Sequence, residues 1–289
     1  ATTQAWGERL IRGWNEGWID APQRVGAMIA SLIGAAPDEV ISADSTSVNL
    51  YKLIVAALRL DPKRNVVVSE AGNFPTDLHI AEGAVAAVAG AELRIVERGA
   101  LAEALGDDTA LLLLTHVHYK TAERFDMAAW TKAAHDAGAL ICWDLSHSAG
   151  AVAVELNAAD ADMAVGCGYK YLNGGPGAPA FLYVAKRWQE QMHNPLSGWM
   201  GHAAPFAFAD GYEAAAGMTR WLTGTPSVLG LNALENGLKL WADIDIRQVE
   251  AKSAALWDIF HAAGTAAGLE CVTPSAPSQR GSHIAFRHS

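Results

Sequence analysis

Continuous apolar runs alternate with segments of helical periodicity along most of this chain. The strand-like runs are 65–70, 91–96, 110–116, 139–144, 161–167 and 180–184. The helical patterns are 25–34, 48–60, 76–88 and 127–137. Strands without a polar face are covered on both sides, which is typical of parallel sheets. The pattern predicts an α/β fold in which helices flank a mostly parallel central sheet.

The clearest chemical signal follows one of these predicted strands. The apolar run 139–143 ends in Asp144, His147 comes soon after it, and Lys170 precedes the Gly-rich turn 174–177. A pyridoxal phosphate (PLP) enzyme needs a lysine that binds the cofactor aldehyde and an acid that pairs with the pyridinium nitrogen. Asp144 alone could be a helix N-cap and Lys170 alone a solvated lysine. Their order, together with the Gly-rich turn, favours a PLP site.

Further residues fall at the same edge of the predicted sheet. Asn73, Phe74 and Thr115 lie at or just beyond strand ends, where ligands bind in parallel sheets. Thr46 and Ser47 stand at a predicted helix N-terminus, where free N–H groups and the helix dipole favour a phosphate dianion. Both could also be plain N-caps. Convergence of these segments predicts a single site.

Two other motifs lack the partners that their usual functions require. His116 and His118 have a spacing that places both on one face of a strand, but no third metal ligand accompanies them in the local sequence. The turn 174–177 is followed by a strand-like run and by no Lys-Ser/Thr pair, unlike a nucleotide P-loop. We therefore expect no metal site here.

Composition restricts the partners and the compartment. The 289 residues are 51% hydrophobic and 18% charged with a net charge of −10, which favours a globular protein and disfavours nucleic acid or an anionic membrane as partner. Cys142, Cys167 and Cys271 are widely spaced in apolar surroundings, which favours free thiols in a reducing cytoplasm. We find no apolar run of membrane-spanning length and no signal-peptide pattern. The start at Ala1 suggests processing or truncation.

The regular alternation weakens after Lys186. The segments that follow are a Gly-, Pro- and aromatic-rich loop at 196–211, a turn at 220–226, a helix from Ser227, a long helix at 246–264 and strand-like pieces at 269–273 and 282–287. We expect an N-terminal segment 1–30, a large PLP-binding domain 31–245, and the beginning of a smaller C-terminal α/β domain at 246–289.

The sequence resembles the kynureninase family of fold-type-I PLP enzymes, which is similar to class V aminotransferases. The matching motifs are Trp14 to Trp18, Asp44 to Leu50, Asn73 to Asp77, Thr115 to Thr121, Asp144 to His147, Tyr169 to Gly177, Gly198 to His202 and Thr223 to Pro226. Because they occur in order along nearly the whole chain, the resemblance is highly specific. It implies the fold-type-I architecture and PLP as the cofactor.

The resemblance also implies a role for each matched residue. Lys170 would bind the cofactor and then carry the substrate Cα proton, Asp144 would hold the pyridinium proton, and Tyr169 would contact the phosphate and donate a proton. Trp18 and Trp199 would wall the pocket for the substrate's aromatic ring. The other implied cofactor contacts are Phe74 stacked on the ring, Pro75, Thr76 and Asp77 in the same loop, Thr115 and His147 near the ring, Thr46 and Ser47 at the phosphate, and Trp199 and Thr225 from the neighbouring subunit. Phe74 and Trp199 could also be ordinary core aromatics, although their loop positions favour the site.

The implied reaction is PLP-dependent hydrolysis of L-kynurenine, or of 3-hydroxy-L-kynurenine, to anthranilate or 3-hydroxyanthranilate and L-alanine. This is a step of tryptophan catabolism and NAD biosynthesis, and the implied protein is a cytoplasmic homodimer with the site at the subunit interface. The family's N-terminal Gly-Asn-Ser turn and its carboxylate-clamping Arg have no match here, since Arg280 and Arg287 come too early in the pattern.

Two alternatives stay open at this stage. One is another fold-type-I enzyme, either a cysteine desulfurase or a class V aminotransferase, although Cys271 lies in a strand-like piece and not in a mobile loop. The other is a truncated, non-catalytic PLP-binding scaffold.

Overall fold

A twisted central sheet organises the chain. The computed structural model describes residues 2–288, so Ala1 and Ser289, the outer ends of the predicted terminal segments, lie outside the described residues. The strands of this sheet are β1 Val40–Ser42, β2 Val66–Glu70, β3 Glu92–Val96, β4 Thr109–Thr115, β5 Leu140–Asp144, β6 Met163–Gly166 and β7 Phe181–Val184. Their spatial order is β1-β7-β6-β5-β4-β2-β3.

The sheet is parallel through its middle and antiparallel at one side. The strands from β3 across to β6 pair in parallel, whereas β7 runs antiparallel to β6 and β1 runs antiparallel to β7. The predicted mostly parallel sheet is therefore confirmed. The sequence did not predict β1, because a three-residue edge strand is too short to show periodicity.

Helices cover both faces of the sheet. They are α1 Ala21–Leu32, α2 Thr46–Leu58, α3 Pro75–Ala86, α4 Leu101–Ala104, α5 Met127–Asp136, α6 Lys186–Gln189, α7 Val228–Leu238 and α8 Ile246–Ala266. One core cluster includes Ile29 of α1 and Leu234 of α7, and the other includes Leu53 of α2. Because both faces are covered, the strands read as continuous apolar runs.

The structure tests what the sequence predicted for the N-termini of α2 and α3. The helix N-terminus predicted at Thr46 and Ser47 is confirmed, but its N-cap is Ser45, whose Oγ accepts a hydrogen bond from the backbone N–H of Val48 at 3.3 Å. The helix predicted at 76–88 is confirmed as α3, so Pro75, Thr76 and Asp77 form its first turn and not the loop that the resemblance implied. Proline is well suited to that turn, where its missing N–H would have no intrahelical partner.

The C-terminal part packs against the segment that follows β4. After α8, the short strands β8 Glu270–Cys271 and β9 Phe286–Arg287 pair antiparallel. The backbone N–H of Gly281 donates to the Ala122 carbonyl at 2.7 Å, and Arg124 forms an ion pair with Glu250 at 2.8 Å. In the described part of the chain, no helix combines the length and apolarity that a membrane span needs.

The cysteines are free thiols, as expected from the sequence. Cys142 and Cys167 are buried, and Cys271 is half-buried.

Candidate active site

The carboxyl ends of β4 and β5 bring the central polar residues together. Thr115 and Asp144 are register partners at the ends of these adjacent strands. The Thr115 hydroxyl lies 2.5 Å from Asn73 Oδ1 and 3.3 Å from Asp77 Oδ2. Thr115, Asn73, Asp77 and Asp144 are all buried. The predicted convergence at one edge of the sheet is therefore observed.

Asp77 and Asp144 form a buried carboxyl pair. Burial and the charge of the neighbouring Asp144 raise the pKa of Asp77 to about 9. Burial also raises the pKa of Asp144, but the backbone N–H of Ser146 donates to its Oδ1 at 2.8 Å, and the positive charge of Lys170 favours its anion. The two carboxyls cannot both ionise in this setting. Asp77 therefore holds the proton and hydrogen-bonds to an ionised Asp144.

Lys170 lies among aromatic rings beside His147. Lys170 Nζ is 3.2 Å from His147 Nε2 and 5.9 Å from the ring centroids of both Phe74 and Tyr169. Burial and the nearby charge of Lys170 lower the pKa of His147 to about 4. The imidazole is therefore neutral near pH 7 and accepts a hydrogen bond from Lys170 through Nε2. Its Nδ1 is buried without a hydrogen-bond partner in the described structure.

Phe74 is held at the site by its position before α3 and by a second aromatic ring. It is the N-cap residue of that helix, and its backbone N–H donates to Asn73 Oδ1 at 2.7 Å. Tyr119 meets its ring edge-on, with centroids 5.2 Å apart. Tyr119 lacked a sequence signal, because its segment is neither strand nor helix and its contact with Phe74 joins distant parts of the chain.

His116 and His118 do not share a face as their spacing predicted. Strand β4 ends at Thr115, so strand alternation no longer applies to them. The buried His116 ring packs edge-on against Trp143 at 5.7 Å, whereas His118 Nε2 lies 2.9 Å from the Gly72 carbonyl. Within residues 2–288 there is also no cluster of three metal-ligating side chains.

Thr46 and Ser47 lie in the first turn of α2, as their predicted helix N-terminus requires. The base of this turn contains an ion pair between the buried Lys52 and the exposed Asp44, since Lys52 Nζ contacts Asp44 Oδ2 at 2.5 Å and the Trp221 carbonyl at 2.7 Å. The Lys52 side chain has no exposed surface. This pair ties the start of α2 to the segment that leads to Thr225.

Trp18, Trp199 and Thr225 line cavities at the surface, and Thr225 also borders a third cavity together with Asp44 and Gly177. Trp18 and Thr225 border one cavity, and Trp199 and Thr225 border another that Trp14 also lines. Neither cavity is lined by Lys170 in the described structure. Exposed aromatic surface surrounds them, including Trp6 at 62% and Phe208 at 79% exposure.

The Trp199 and Thr225 segments are nevertheless joined to each other. The Met200 backbone N–H donates to the Thr223 carbonyl at 3.2 Å. A Cβ on Gly198 would stand 2.1 Å from that same carbonyl oxygen, so only glycine permits this approach. Trp199 and Thr225 thus lie on one continuous surface.

Comparison with known proteins agrees with this geometry. The sequence profile of the family described as aminotransferase class-V matches residues 15–289. A kynureninase of Burkholderia mallei is 50% identical over 98% of this chain and 71% of its own length. A kynureninase of Deinococcus radiodurans is 47% identical over 99% of this chain and 72% of its own length.

Solved structures agree at the level of the fold. The cysteine desulfurase of Thermococcus onnurineus superposes with a TM-score of 0.78 at 19% identity, covering 93% of this chain and 68% of that one. The alanine–glyoxylate aminotransferase of Nostoc gives 0.72 at 16% identity, covering 94% and 72%. A C-DES variant with glycine linked to its PLP cofactor gives 0.77 at 17% identity, covering 94% and 72%. These likenesses place the fold among the fold-type-I PLP enzymes, and the sequence matches show that this chain belongs to the kynureninases within the aminotransferase class-V family.

Proposed function

We propose that this chain hydrolyses the Cβ–Cγ bond of L-kynurenine, with PLP as cofactor, to give anthranilate and L-alanine. The observation that carries the proposal is the grouping of Lys170, His147 and Phe74 beside the Asp77–Asp144 pair. The 50% identity to a kynureninase over 98% of the chain supports this substrate. We extend the proposal to 3-hydroxy-L-kynurenine, and hence to tryptophan catabolism and NAD biosynthesis.

The residues present suit PLP. An ionised Asp144 at the end of β5 can hold a protonated pyridine nitrogen, and Phe74 offers an aromatic face. The orphaned His147 Nδ1 can donate to a ring oxygen. Thr46 and Ser47 offer hydroxyls and backbone N–H groups to the phosphate, with Tyr169 close to Lys170. When bound, the cofactor supplies an electron sink for charge that develops at the substrate Cα.

Asp77 keeps Asp144 in the form that this chemistry needs. Because Asp77 holds its proton up to about pH 9, it can donate to Asp144 without placing a second negative charge beside it. Thr115 contacts Asp77 at 3.3 Å and fixes its orientation. We propose that Pro75 and Thr76 act by placing Asp77 and Phe74 in the first turn of α3.

Lys170 moves the proton at the substrate Cα. His147 accepts a hydrogen bond from Lys170 and has a pKa of about 4, so it orients the amine without removing its proton near pH 7. His147 therefore does not take up the proton that Lys170 removes from Cα, and that proton can be returned to the substrate. Burial raises the pKa of Tyr169, with the nearby Cys167 acting in the same direction. A protonated Tyr169 hydroxyl is therefore available as a proton donor.

We propose that the active protein is a homodimer whose sites include residues from both chains. Trp199 and Thr225 line one cavity that Lys170 does not line, and exposed aromatic rings lie beside it. This arrangement suits a surface that contacts a second copy. We assign Trp18 and Trp199 to the aromatic pocket of the partner's site on the same reasoning.

Two further proposals concern the chain as a whole. The free thiols Cys142, Cys167 and Cys271 suit a reducing cytoplasm. We also propose the division into segment 1–30, a PLP-binding domain 31–245 and a C-terminal part 246–289. The separate small sheet β8–β9 and the long α8 before it support this division.

The structure offers no support for desulfurase chemistry, which needs a cysteine that can reach the substrate. Cys142 and Cys167 are buried, and Cys271 lies in β8 with its Sγ 3.6 Å from the Thr273 carbonyl. An aminotransferase and a non-catalytic scaffold differ from the proposal in their products, so a product assay separates them.

The test is a titration of the PLP-loaded chain with L-kynurenine. We expect a visible absorption band from cofactor bound at Lys170, a change of that band on addition of L-kynurenine, and the blue fluorescence of anthranilate. The Lys170→Ala variant should lose the lysine-bound band, whereas the exposed Lys132→Ala control should keep it. A loaded parent that produces no anthranilate would show that the proposed substrate is wrong.

A further inference from the structure

His283 lies close to the site but in the C-terminal segment, which contributes none of the site residues described above. It follows Gly281 and precedes β9, in the segment that connects β8 to β9. Its ring centroid is 5.8 Å from that of His147. His147 in turn contacts Lys170 Nζ at 3.2 Å. His147 is therefore a neighbour of both Lys170 and the His283 ring.

The backbone on both sides of His283 is fixed. The Gly281 N–H donates to the Ala122 carbonyl at 2.7 Å, and Ser253 Oγ donates to the Ser282 carbonyl at 3.0 Å. The Ala285 N–H donates to Thr273 Oγ1 at 2.9 Å. These bonds hold the ring toward His147, since the backbone that carries it has little freedom to turn away.

Both ring nitrogens of His283 are out of contact with water and make no hydrogen bond of good geometry within residues 2–288, although the backbone of Tyr119 and His118 lies near them. Native proteins rarely leave buried polar atoms unpaired, and such atoms commonly mark the place of a ligand. His147 Nδ1 is in the same condition. Two neighbouring histidines thus present unpaired nitrogens beside the reactive lysine.

The charge around His283 indicates what kind of group it can bind. Burial lowers its pKa, and the charges of His118 and Lys170 act in the same direction, although the backbone of His118 and Tyr119 opposes them. An uncharged imidazole offers one N–H donor and one acceptor. That donor can bind a single oxygen, either of a ketone or of the carboxylate formed from it, whereas bidentate clamping of a carboxylate needs a cation such as arginine.

We propose that His283 is a positioning residue that donates a hydrogen bond to the ketone oxygen of the amino-acid substrate. The inference rests on the proposed function, in which water attacks the carbon that bears this oxygen. The cofactor's ring nitrogen, ring face and ring oxygen already have partners in Asp144, Phe74 and His147. The unpaired nitrogens of His283 are therefore left for the substrate.

The test compares two substitutions at this position. His283→Leu keeps the bulk and removes both nitrogens, and His283→Gln retains an N–H donor. The matched control is His193→Leu, because His193 is exposed. Each PLP-loaded protein is titrated with L-kynurenine to obtain KM and kcat, and with anthranilate, whose carboxylate contains the former ketone oxygen, to obtain a Kd. The apo proteins are titrated with PLP.

We expect His283→Leu to raise the Kd for anthranilate and the KM for L-kynurenine about tenfold, as the loss of one hydrogen bond predicts. His283→Gln should recover most of that loss, and PLP affinity should stay within about twofold of the parent in both. Removal of unpaired buried nitrogens should not lower the melting temperature of the apo protein.

Three results would overturn the inference. Unchanged anthranilate and L-kynurenine binding in His283→Leu would mean that the ring touches neither. A tenfold loss of PLP affinity would assign His283 to the cofactor. A lower melting temperature that His283→Gln does not restore would assign it to packing. If the parent itself neither binds nor cleaves L-kynurenine, the proposed function fails first, and this inference fails with it.

Discussion

The shared proton of the Asp77–Asp144 pair makes the stability of the apo protein depend on pH in a defined direction. Asp77 has a pKa of about 9 in the folded chain, against 3.8 for an ordinary aspartate. Between these values the folded chain keeps a proton that the unfolded chain has released. Folding therefore becomes less favourable as pH rises from about 4 to about 9.

The substitution Asp77→Asn tests this directly. Asparagine keeps the size of a protonated aspartate, can donate to Asp144 and can accept from Thr115, but it does not titrate. One proton difference corresponds to about 1.4 kcal/mol per pH unit. From pH 5.5 to 8.5, we therefore expect the free energy of unfolding of the variant to gain up to about 4 kcal/mol relative to the parent.

The assay is urea unfolding of the apo proteins at pH 5.5, 7.0 and 8.5. The matched control is Asp107→Asn, an exposed aspartate, whose difference from the parent should stay within about 0.5 kcal/mol at each pH. A difference between Asp77→Asn and the parent that does not change with pH would refute the reasoning. Asp77 would then be ionised in the folded protein. It could not donate the proposed hydrogen bond to Asp144.

The remaining predictions concern the Phe74 ring, the ion pair of Lys52 with Asp44, and Gly281. Phe74→Leu should weaken PLP binding about three- to tenfold, measured by absorbance titration, because it loses aromatic stacking. Asp44→Asn should cost about 2 kcal/mol of unfolding free energy, since it leaves the buried Lys52 without its carboxylate, which solvent partly screens. Lys52→Met should cost about 1 kcal/mol, and equal costs for the two would contradict this account. Gly281→Ala should cost about 2 kcal/mol, because a Cβ there would stand 2.4 Å from Val117 Cγ1, and urea unfolding at an unchanged midpoint would show that the contact yields freely.

The sequence predicted the parts of the site that depend on local pattern. An apolar run that ends in an acid identifies Asp144 at a strand end, and the register of β4 with β5 then places Thr115 beside it. The order of helices and strands was sufficient for the mostly parallel sheet. These features depend on periodicity, which a single sequence displays.

The parts that escaped prediction depend on contacts between distant segments. The His283 ring approaches His147 only because the C-terminal segment pairs with residues beyond β4, and no local signal announces such pairing. The proton on Asp77 depends on a second carboxyl that the sequence places in another element. Strand β1 is recognisable only once β7 is present to receive it.

The buried Lys52 has a consequence for communication between the two sites of the proposed dimer. Its ammonium bridges Asp44, at the start of the helix proposed to hold the phosphate, and the Trp221 carbonyl, on the segment proposed to face the other subunit. A shift of that helix on ligand binding would therefore displace the surface that completes the neighbouring site. Occupancy of one site would then alter the affinity of the other, with the same coupling free energy in both directions.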